Sequence, residues 1–425
     1  MNRRSMLKSM TVAAGAGLGR APRIQAAIPK MKITRVRIYT PPDPNPLFNQ
    51  SNMVVTVETD GGITGIGEGG SREMLEQCAG RLIGQNPHYI ERLWQDMYRA
   101  FFYPPGREKI HALGALDLAL WDIKGKALGL PVHAALSGLT RNHCECYPTG
   151  GLGGGGAGAS LSTGGAAPPG GGMSMKERAR AVIEAGYRAF RMDAGSLRGT
   201  SVYNSRERVH QVHRDCIEAR EGVGKDGDFL IDFHQRFDFS DALRGCKLIE
   251  DLEPYLVEDP VRTEAFLEDI PKLRRLTTVP LAAGEEWGQR WDFNKLVENH
   301  DLDYLRVTLP NVGGITEMLK IAAMCETHFV GIVPHFTGPL STAALVHVLG
   351  VYSGPVLFEY NYGSRTIPHM PVCVDFKNGK LWPNDRPGLG VELDMKQLKM
   401  ISEVTQPVTN RAQTYFRPDG SITNW

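Results

Sequence analysis

Three short apolar runs in the middle of the chain end on acidic residues, and each run is followed by a helical pattern. These acids are Asp232, Glu258 and the adjacent pair Glu285 and Glu286. An apolar run followed by a helix predicts a βα unit, and neighbouring parallel strands bring their carboxyl ends to one rim. Carboxylate oxygens that meet at such a rim are ligands that Mg²⁺ prefers. The pattern therefore predicts an α/β fold with a magnesium site at the strand ends.

The alternation of strand and helix patterns extends over residues 141–375 and predicts one large domain with eight strands. Residues 31–140 precede it as an α+β unit, in which strand patterns come first and helical patterns follow, and we expect this unit to form a cap. Residues 376–425 are predicted to return to the cap. A chain of 425 residues is long enough for one large domain and a smaller one.

Basic and acidic residues nearly balance, and this balance limits the kinds of partner. The chain has 48 Lys and Arg against 47 Asp and Glu, with a formal net charge of +1 and no basic stripe of the kind that binds nucleic acid. We therefore expect a small-molecule partner and no nucleic acid. Seven scattered cysteines without CxxC or zinc-ligand spacing predict neither a disulfide framework nor a zinc site.

Residues 1–27 have the pattern of an export signal. Arg3 and Arg4 precede a weakly apolar run over residues 10–18, an arrangement that resembles a twin-arginine signal. The run is too short and too rich in Ala and Gly to cross a bilayer, so no membrane span is predicted. We therefore expect an exported protein, located in the periplasm or outside the cell.

Residues 150–172 consist almost wholly of Gly, Ala, Ser, Thr and Pro. This composition buries too little apolar surface to order itself and predicts a flexible insert. A phosphate-binding loop is disfavoured because no GxxxxGK[ST] motif and no strand-linked GxGxxG motif is present. The insert follows the first predicted strand of the large domain, which makes it a candidate lid over the strand ends.

These features resemble the enolase superfamily over nearly the whole chain after the predicted signal. The resemblance rests on the helix at 119–126, on the strand-end carboxylates and on the Gly-Gly-Ile-Thr sequence at 313–316. It implies a modified (β/α)8-type barrel of the (β/α)7β kind, with an α+β capping domain made from the N-terminal region and the C-terminal tail. It also implies that Asp232, Glu258 and Glu285 bind Mg²⁺.

Within the superfamily, segments 252–260 and 303–308 resemble the acid-sugar dehydratases, in particular the mannonate dehydratase branch, alongside features of the galactonate type. In the mannonate branch an Arg that ends the second strand supports a Tyr twelve positions later, which acts as base. Arg191 and Tyr203 have this spacing here. The branch places its general acid two residues after the first metal ligand, which corresponds to His234.

His335 follows the seventh predicted strand, where the superfamily often places a second acid or base. We assign Glu359, at the end of the eighth strand, and Arg306, after the sixth, to substrate binding. Dehydratases of the galactonate type carry an Asp at the position of Thr308 and pair it with the strand-seven histidine. This departure favours Tyr203 as the base and leaves His335 as the alternative.

The resemblance and the residue types imply one reaction. Removing a proton next to a carboxylate creates an enediolate, whose doubled charge a divalent cation stabilises. A phenol, with a pKa of about 10, is an effective base only when a cation such as a guanidinium stabilises its phenolate. A positioned histidine protonates the departing hydroxyl so that it leaves as water.

We therefore expect an exported, Mg²⁺-dependent hydro-lyase that converts an aldonic-type acid sugar into a 2-keto-3-deoxy acid. An epimerase or racemase with Tyr203 and His335 as opposing bases is one alternative. A non-catalytic acid-sugar binding protein is another, although a pure binder does not need a metal site that is open to an enediolate. We also expect the chain to form a homo-oligomer.

Overall fold

The structure, a computed structural model, divides into two compact units, Met1–Lys30 and Met31–Trp425, and every element named below belongs to the second. The residues that it describes are 29–42, 53–100, 106–149, 152, 172–194, 202–361, 366–408 and 414–423. The predicted export signal at 1–27 lies outside them, as does nearly all of the Gly-rich insert, and both stay predictions. Within the described ranges, no helix is long and apolar enough to cross a membrane.

The capping region begins with three antiparallel strands and continues as helices. These elements are β1 (Ile33–Thr40), β2 (Val54–Thr59), β3 (Thr64–Glu68), α1 (Arg72–Ala79), α2 (Ile90–Arg99), α3 (Arg107–Leu128) and α4 (Val132–Leu136). Strand β3 carries Gly65 and Gly67 against α3, where an added Cβ would lie 2.1 and 1.8 Å from the carbonyl oxygens of Ala119 and Ala115. Glycine therefore lets the long helix pack directly on the strand backbone.

Eight short strands form the centre of the larger region. They are β4 (Cys144–Tyr147), β5 (Ala189–Asp193), β6 (Asp228–Asp232), β7 (Leu256–Glu258), β8 (Leu281–Ala283), β9 (Tyr304–Leu305), β10 (Gly331–Ile332) and β11 (Phe358–Glu359). Strands β5 to β10 pair in parallel in chain order, and β11 pairs in parallel with β4. Parallel bridges between Thr149 and Arg191 and between Ile332 and Val356 close the ring.

Helices connect successive barrel strands. They are α5 (Met175–Glu184), α6 (Ser205–Val223), α7 (Phe239–Ile249), α8 (Phe266–Arg274), α9 (Arg290–Glu298), α10 (Leu309–Val312), α11 (Ile315–His328) and α12 (Pro339–Val351). In the described residues no α-helix follows β11, which confirms the predicted modified barrel of the (β/α)7β kind. The sixth strand is shorter than its apolar pattern suggests, because α10 begins at Leu309, with Pro310 in its first turn, where proline is favoured.

The C-terminal residues add strands to both regions. They form β12 (Asp375–Lys377), β13 (Lys380–Trp382), β14 (Lys399–Val404), β15 (Tyr415–Phe416) and β16 (Ile422–Thr423). Strand β13 pairs antiparallel with β4 of the barrel, and β14 pairs antiparallel with β1 of the cap. The tail therefore ties the barrel to the cap sheet through backbone hydrogen bonds.

Two buried carboxylates of the cap bind the amino ends of barrel helices. Glu68 accepts a hydrogen bond of 3.3 Å from the backbone N–H of Leu340 in α12. Asp117 of α3 accepts from the backbone N–H of Thr316 at 3.0 Å and from its hydroxyl at 2.5 Å, in the first turn of α11. Helix amino ends favour such acceptors. Burial nevertheless raises the pKa of Glu68 and of Asp117 to about 7.

Glu68→Gln should flatten the fall in stability between pH 4.5 and 7. The folded pKa of about 7 exceeds the ordinary value of 4.5, so this group destabilises the fold increasingly as pH rises through that window, by about 3 kcal/mol in total. Gln stays neutral and still accepts from Leu340. Urea unfolding at several pH values measures the slope, with exposed Glu73→Gln on α1 as control. Equal slopes for all three proteins would contradict the prediction. Asp117 contributes its own pH dependence of stability equally in all three proteins.

Candidate active site

Carboxylates gather at the carboxyl ends of the barrel strands, as their positions in the sequence predict. In the parallel register Asp193 lies opposite Asp232, and Asp232 lies opposite Glu258. Glu285 follows β8 after Gly284, whose φ of +118° and contact with Phe293 exclude a side chain there. A fifth carboxylate, Glu359, ends β11.

Of the adjacent pair after β8, only one carboxylate faces the others. Glu285 is half-buried, and its Oε2 lies 3.5 Å from an Arg306 nitrogen. Glu286 is exposed and instead accepts a hydrogen bond of 2.9 Å from the hydroxyl of Thr263. The structure thus groups Glu285, and not Glu286, with the other strand-end carboxylates.

Arg191 is buried among three of these carboxylates. Its guanidinium lies 2.7 Å from Asp193, 2.5 Å from Asp232 and 3.4 Å from Glu258. Burial opposes a charge at this position, but Glu258 and Asp232 raise the pKa of Arg191 well above its ordinary value. The side chain is therefore a permanent cation that joins three neighbouring strands.

Arg306 is the second buried cation and has no exposed surface. Its Nε lies 2.7 Å from Glu258, one terminal nitrogen lies 2.8 Å from Glu359 and 3.5 Å from Glu285, and the other donates to the Tyr147 hydroxyl at 2.8 Å. Burial disfavours the charge of Glu258, yet Arg306 and Arg191 together lower its pKa. Arg306 therefore lies against three of the strand-end carboxylates, and its assignment to substrate binding stays a prediction.

Glu359 is held on both oxygens. One oxygen accepts from the hydroxyl of Thr149, and the other accepts from Arg306 and, at 3.1 Å, from the backbone N–H of Phe336. Burial opposes its ionisation, but Arg306 and His335 lower the pKa of Glu359. Its predicted role in substrate binding is untested, and the contacts show a carboxylate that orients the end of β11.

Two histidines lie against the predicted metal ligands. His234 Nδ1 is 3.4 Å from Asp232, and its backbone N–H donates to the same carboxylate at 2.6 Å. His335 Nε2 is 3.7 Å from Glu285. The structure therefore brings both predicted acid or base histidines to the carboxylate group, where each contacts a different member.

Tyr203 lies apart from its predicted cation. Its hydroxyl donates to the backbone carbonyl of Arg236 at 2.9 Å, and the side chain is exposed on the loop before α6. Burial of part of the ring, followed by the charge of Asp241, raises the pKa of Tyr203. Arg191 makes its ion pairs with carboxylates, so the predicted pairing with Tyr203 is not among the contacts of the described residues.

Strained backbone marks the same rim. His234, Gln235 and Asp259 have φ values of +49°, +58° and +41°, which residues other than glycine seldom adopt. The backbone N–H of Gln235 donates to the carbonyl of Asp259 at 3.0 Å, which joins the turns that follow β6 and β7. Backbone strain of this kind is concentrated at functional sites, and no sequence pattern indicated it.

Asp193, Thr308 and Asn311 make contacts in the site that the sequence did not predict. Asp193 has ligand atoms within 4.8 Å of those of Asp232 and His234, and the two-residue spacing from Arg191 could have indicated it, because alternate residues of a strand face one side. Thr308 and Asn311 both donate to the backbone carbonyl of Glu285. A hydrogen bond to a backbone atom of a distant segment does not depend on the residue type there, so the spacing of residues in the sequence cannot predict it.

The donor set fits a hard divalent cation. Among the residues that the structure describes, five carboxylates share the guanidinium groups of Arg191 and Arg306. Burial, followed by the charge of Glu258, raises the pKa of Asp232 well above its ordinary value, and a bound cation would oppose both effects. Oxygen ligands with excess negative charge are the environment in which Mg²⁺ binds.

Two family models match the chain. The model described as "Enolase C-terminal domain-like" covers residues 174–397, and "Mandelate racemase / muconate lactonizing enzyme, N-terminal domain" covers residues 45–137. A D-galactonate dehydratase from Xanthomonas oryzae pv. oryzae is 36% identical over 416 residues, which are 93% of this chain and 100% of that protein. A D-galactonate dehydratase from Pectobacterium atrosepticum is 34% identical with the same coverage.

Solved structures agree with these matches. A member of the enolase superfamily from Salmonella Typhimurium superimposes with a TM-score of 0.75 and 26% identity, over 88% of this chain and 100% of that one. A mandelate racemase/muconate lactonizing enzyme from Sulfitobacter sp. gives a TM-score of 0.74 and 25% identity, over 86% and 94%. The resemblance to the mannonate branch stays a prediction.

Arg306→Met should destabilise the fold far more than an equivalent change at the surface. It leaves Glu359 buried without its guanidinium partner and Glu258 with only the longer contact to Arg191, which costs about 3–5 kcal/mol of unfolding free energy. Arg274→Met removes a partly exposed pair with Asp303 and should cost about 1 kcal/mol or less. Urea denaturation compares the two, and similar losses would show that the buried pairs are not the source of stability.

Proposed function

Because this chain belongs to the enolase superfamily, and within it to the acid-sugar dehydratase group, we propose that it dehydrates an aldonic-type acid sugar with Mg²⁺ and releases a 2-keto-3-deoxy acid. The relatives named D-galactonate dehydratase support a hydro-lyase reaction on such an acid. The observation that carries the proposal is the group of strand-end carboxylates with a histidine against Asp232 and another against Glu285.

Asp232, Glu258 and Glu285 would hold the Mg²⁺ ion, with Asp193 and His234 beside the first of them. When bound, Mg²⁺ supplies electrostatic stabilisation of the negative charge that develops on the substrate carboxylate. Arg191 and Arg306 are both buried and charged, and together they lower the pKa of Glu258; Arg191 also pairs with Asp232, and Arg306 lies near Glu285. The protein thus supplies a preorganised anionic rim.

The two histidines divide the proton transfers. His335 accepts the proton from the carbon next to the substrate carboxylate, and the electron pair of that C–H bond forms a C=C bond to the carboxylate carbon, which gives an enediolate. The electron pair then forms the C=C bond to the adjacent carbon as the C–O bond there breaks, and His234 donates a proton to the departing hydroxyl, which leaves as water. The remaining enol tautomerises to the 2-keto acid. Each transfer needs a histidine near neutral pH, where imidazole both accepts and donates.

The contacts favour His335 over Tyr203 as the base. The Tyr203 hydroxyl donates a hydrogen bond to a carbonyl oxygen, and the pKa of Tyr203 is raised. Both effects disfavour its phenolate. A carbonyl can only accept, so that bond keeps the phenol protonated. His335 contacts Glu285, one of the proposed ligands. Thr308 bonds to the carbonyl of Glu285 instead of to His335, which leaves His335 Nδ1 buried without a hydrogen-bond partner among the described residues.

Purified protein should form a 2-keto acid from at least one aldonic acid when Mg²⁺ is present. A panel of aldonic acid diastereomers, read out as the semicarbazone of the product, measures this directly. EDTA should abolish turnover and added Mg²⁺ should restore it, because the ligands are carboxylates. Asp232→Asn is the matched control and should form no product. Absence of turnover on every member of the panel would refute the proposed reaction.

Substitutions at the three candidate proton carriers should separate their roles. His335→Gln should lower both product formation and exchange of the substrate α-proton in D₂O by about 10²–10⁴-fold. His234→Asn should lower product formation similarly but retain α-proton exchange, measured by proton NMR. Tyr203→Phe should stay within a few-fold of the unsubstituted protein.

The opposite pattern would assign the base to Tyr203. Loss of exchange in Tyr203→Phe together with normal exchange in His335→Gln is the result that contradicts the assignment. Exchange by the unsubstituted protein without any 2-keto acid would instead indicate an epimerase or racemase.

A further inference from the structure

The backbone carbonyl of Glu285 accepts two short hydrogen bonds from the segment that follows β9. The Thr308 hydroxyl and the Asn311 side-chain amide each donate to it at 2.6 Å, and both donors are buried. Thr308 occupies the N-cap position of α10, yet its side chain makes no capping bond to that helix. A threonine at this position usually caps. Its hydroxyl donates to the Glu285 carbonyl instead.

Asn311 is itself held by the cap. Because a carbonyl only accepts, Asn311 must direct its NH₂ group to Glu285 and its side-chain oxygen to the Nε2 of His111 in α3. His111 is buried, and burial lowers its pKa to about 4, so the neutral ring carries its proton on Nε2 and donates it to Asn311. A chain of donors therefore runs from the cap helix through Asn311 to Glu285.

The same segment contacts the cap at further points. Trp94 Nε1 donates to the carbonyl of Gly313 at 2.8 Å, and Trp121 Nε1 donates to the Thr316 hydroxyl at 2.9 Å. An added Cβ at Gly114 of α3 would lie 3.1 Å from the backbone of Gly314. The cap helix therefore sits directly on residues 311–316 and restrains their position.

Glu285 needs such support because Gly284 before it offers no side chain to pack. Its left-handed φ places the turn after β8 in a conformation held by surrounding contacts. The Glu285 carboxylate, by contrast, is half-buried, and its ion-pair contacts with other described residues are long, at 3.5 Å to Arg306 and 3.7 Å to His335. Its direction toward the other carboxylates therefore depends on where its backbone is fixed.

We propose that Thr308 and Asn311 are positioning residues for Glu285, and that His111 fixes the orientation of the Asn311 side chain. This inference rests on the Mg²⁺ site of the proposed function. Groups that orient a metal ligand typically change metal affinity by about 10–100-fold when they are removed. Here the orienting groups act on the ligand's backbone.

Calorimetric titration of the full chain with MgCl₂ alone tests the proposal without substrate. Thr308→Val replaces the hydroxyl by a methyl group of the same size, and Asn311→Leu removes the amide. Each should weaken Mg²⁺ binding about 10-fold. Thr308→Ser keeps the hydroxyl donor, so its Mg²⁺ affinity should lie within about 2-fold of that of the unsubstituted chain. Thermal unfolding monitors the fold of each variant.

Trp121→Phe is the matched control. It removes a hydrogen bond from the same contact between the cap and residues 311–316 but does not reach Glu285. It should lower the melting temperature as the other variants do, while its Mg²⁺ affinity stays within about 2-fold of the unsubstituted chain. If these residues acted in folding alone, the Mg²⁺ affinity would fall in all the variants whose melting temperature falls, including Trp121→Phe.

The outcomes separate this inference from the function on which it rests. Equal Mg²⁺ binding by the unsubstituted chain, Thr308→Val and Asn311→Leu overturns the positioning role and leaves the proposed function intact. Equal weakening in Thr308→Val and Thr308→Ser also overturns it. No Mg²⁺ binding by the unsubstituted chain overturns both.

Discussion

Two buried guanidinium groups hold the carboxyl ends of the barrel strands together. Arg191 joins the ends of β5, β6 and β7, while Arg306, after β9, joins β7 to Glu285 and to the end of β11. A charge removed from water is tolerated only when it is paired, so these strand ends cannot move independently. Glu258 lies between the two cations. The same cluster leaves negative charge in excess, which creates the environment for a divalent cation.

The cap contributes to this cluster through hydrogen bonds and packing. Helix α3 lies between the cap sheet and the barrel, and it packs against β3 where Gly65 and Gly67 remove the side chains. On its other side it binds residues 311–316 and the amino end of α11. Because the same segment donates to the backbone of Glu285, the cap and the strand-end site form one hydrogen-bonded structure. An added Cβ at Gly314 would lie 2.6 Å from the Asp117 carboxylate, so a side chain at this position would disturb the contact between the cap and the barrel.

Much of the fold could be predicted from periodicity, and much of the site from where apolar runs end. Asp232, Glu258 and Glu285 were predictable because a parallel strand delivers its last residue to a common rim. His234 and His335 were predictable for the same reason, with the resemblance adding their roles. Arg191 was expected to support Tyr203, but it lies among carboxylates. Spacing in the chain cannot tell which of two nearby anions a long flexible side chain will pair with.

The sequence by itself determined the strand order, the family and the acids of the site, since each depends on local pattern or on motif. Only the tertiary structure decided that Arg306 is buried beneath the carboxylates and that Glu285 rather than Glu286 faces them. It alone revealed the support of Glu285 by Thr308, Asn311 and the cap. These features depend on the meeting of backbone and side-chain groups that are distant in the chain, and their pairing is set by burial and geometry, not by neighbouring residues.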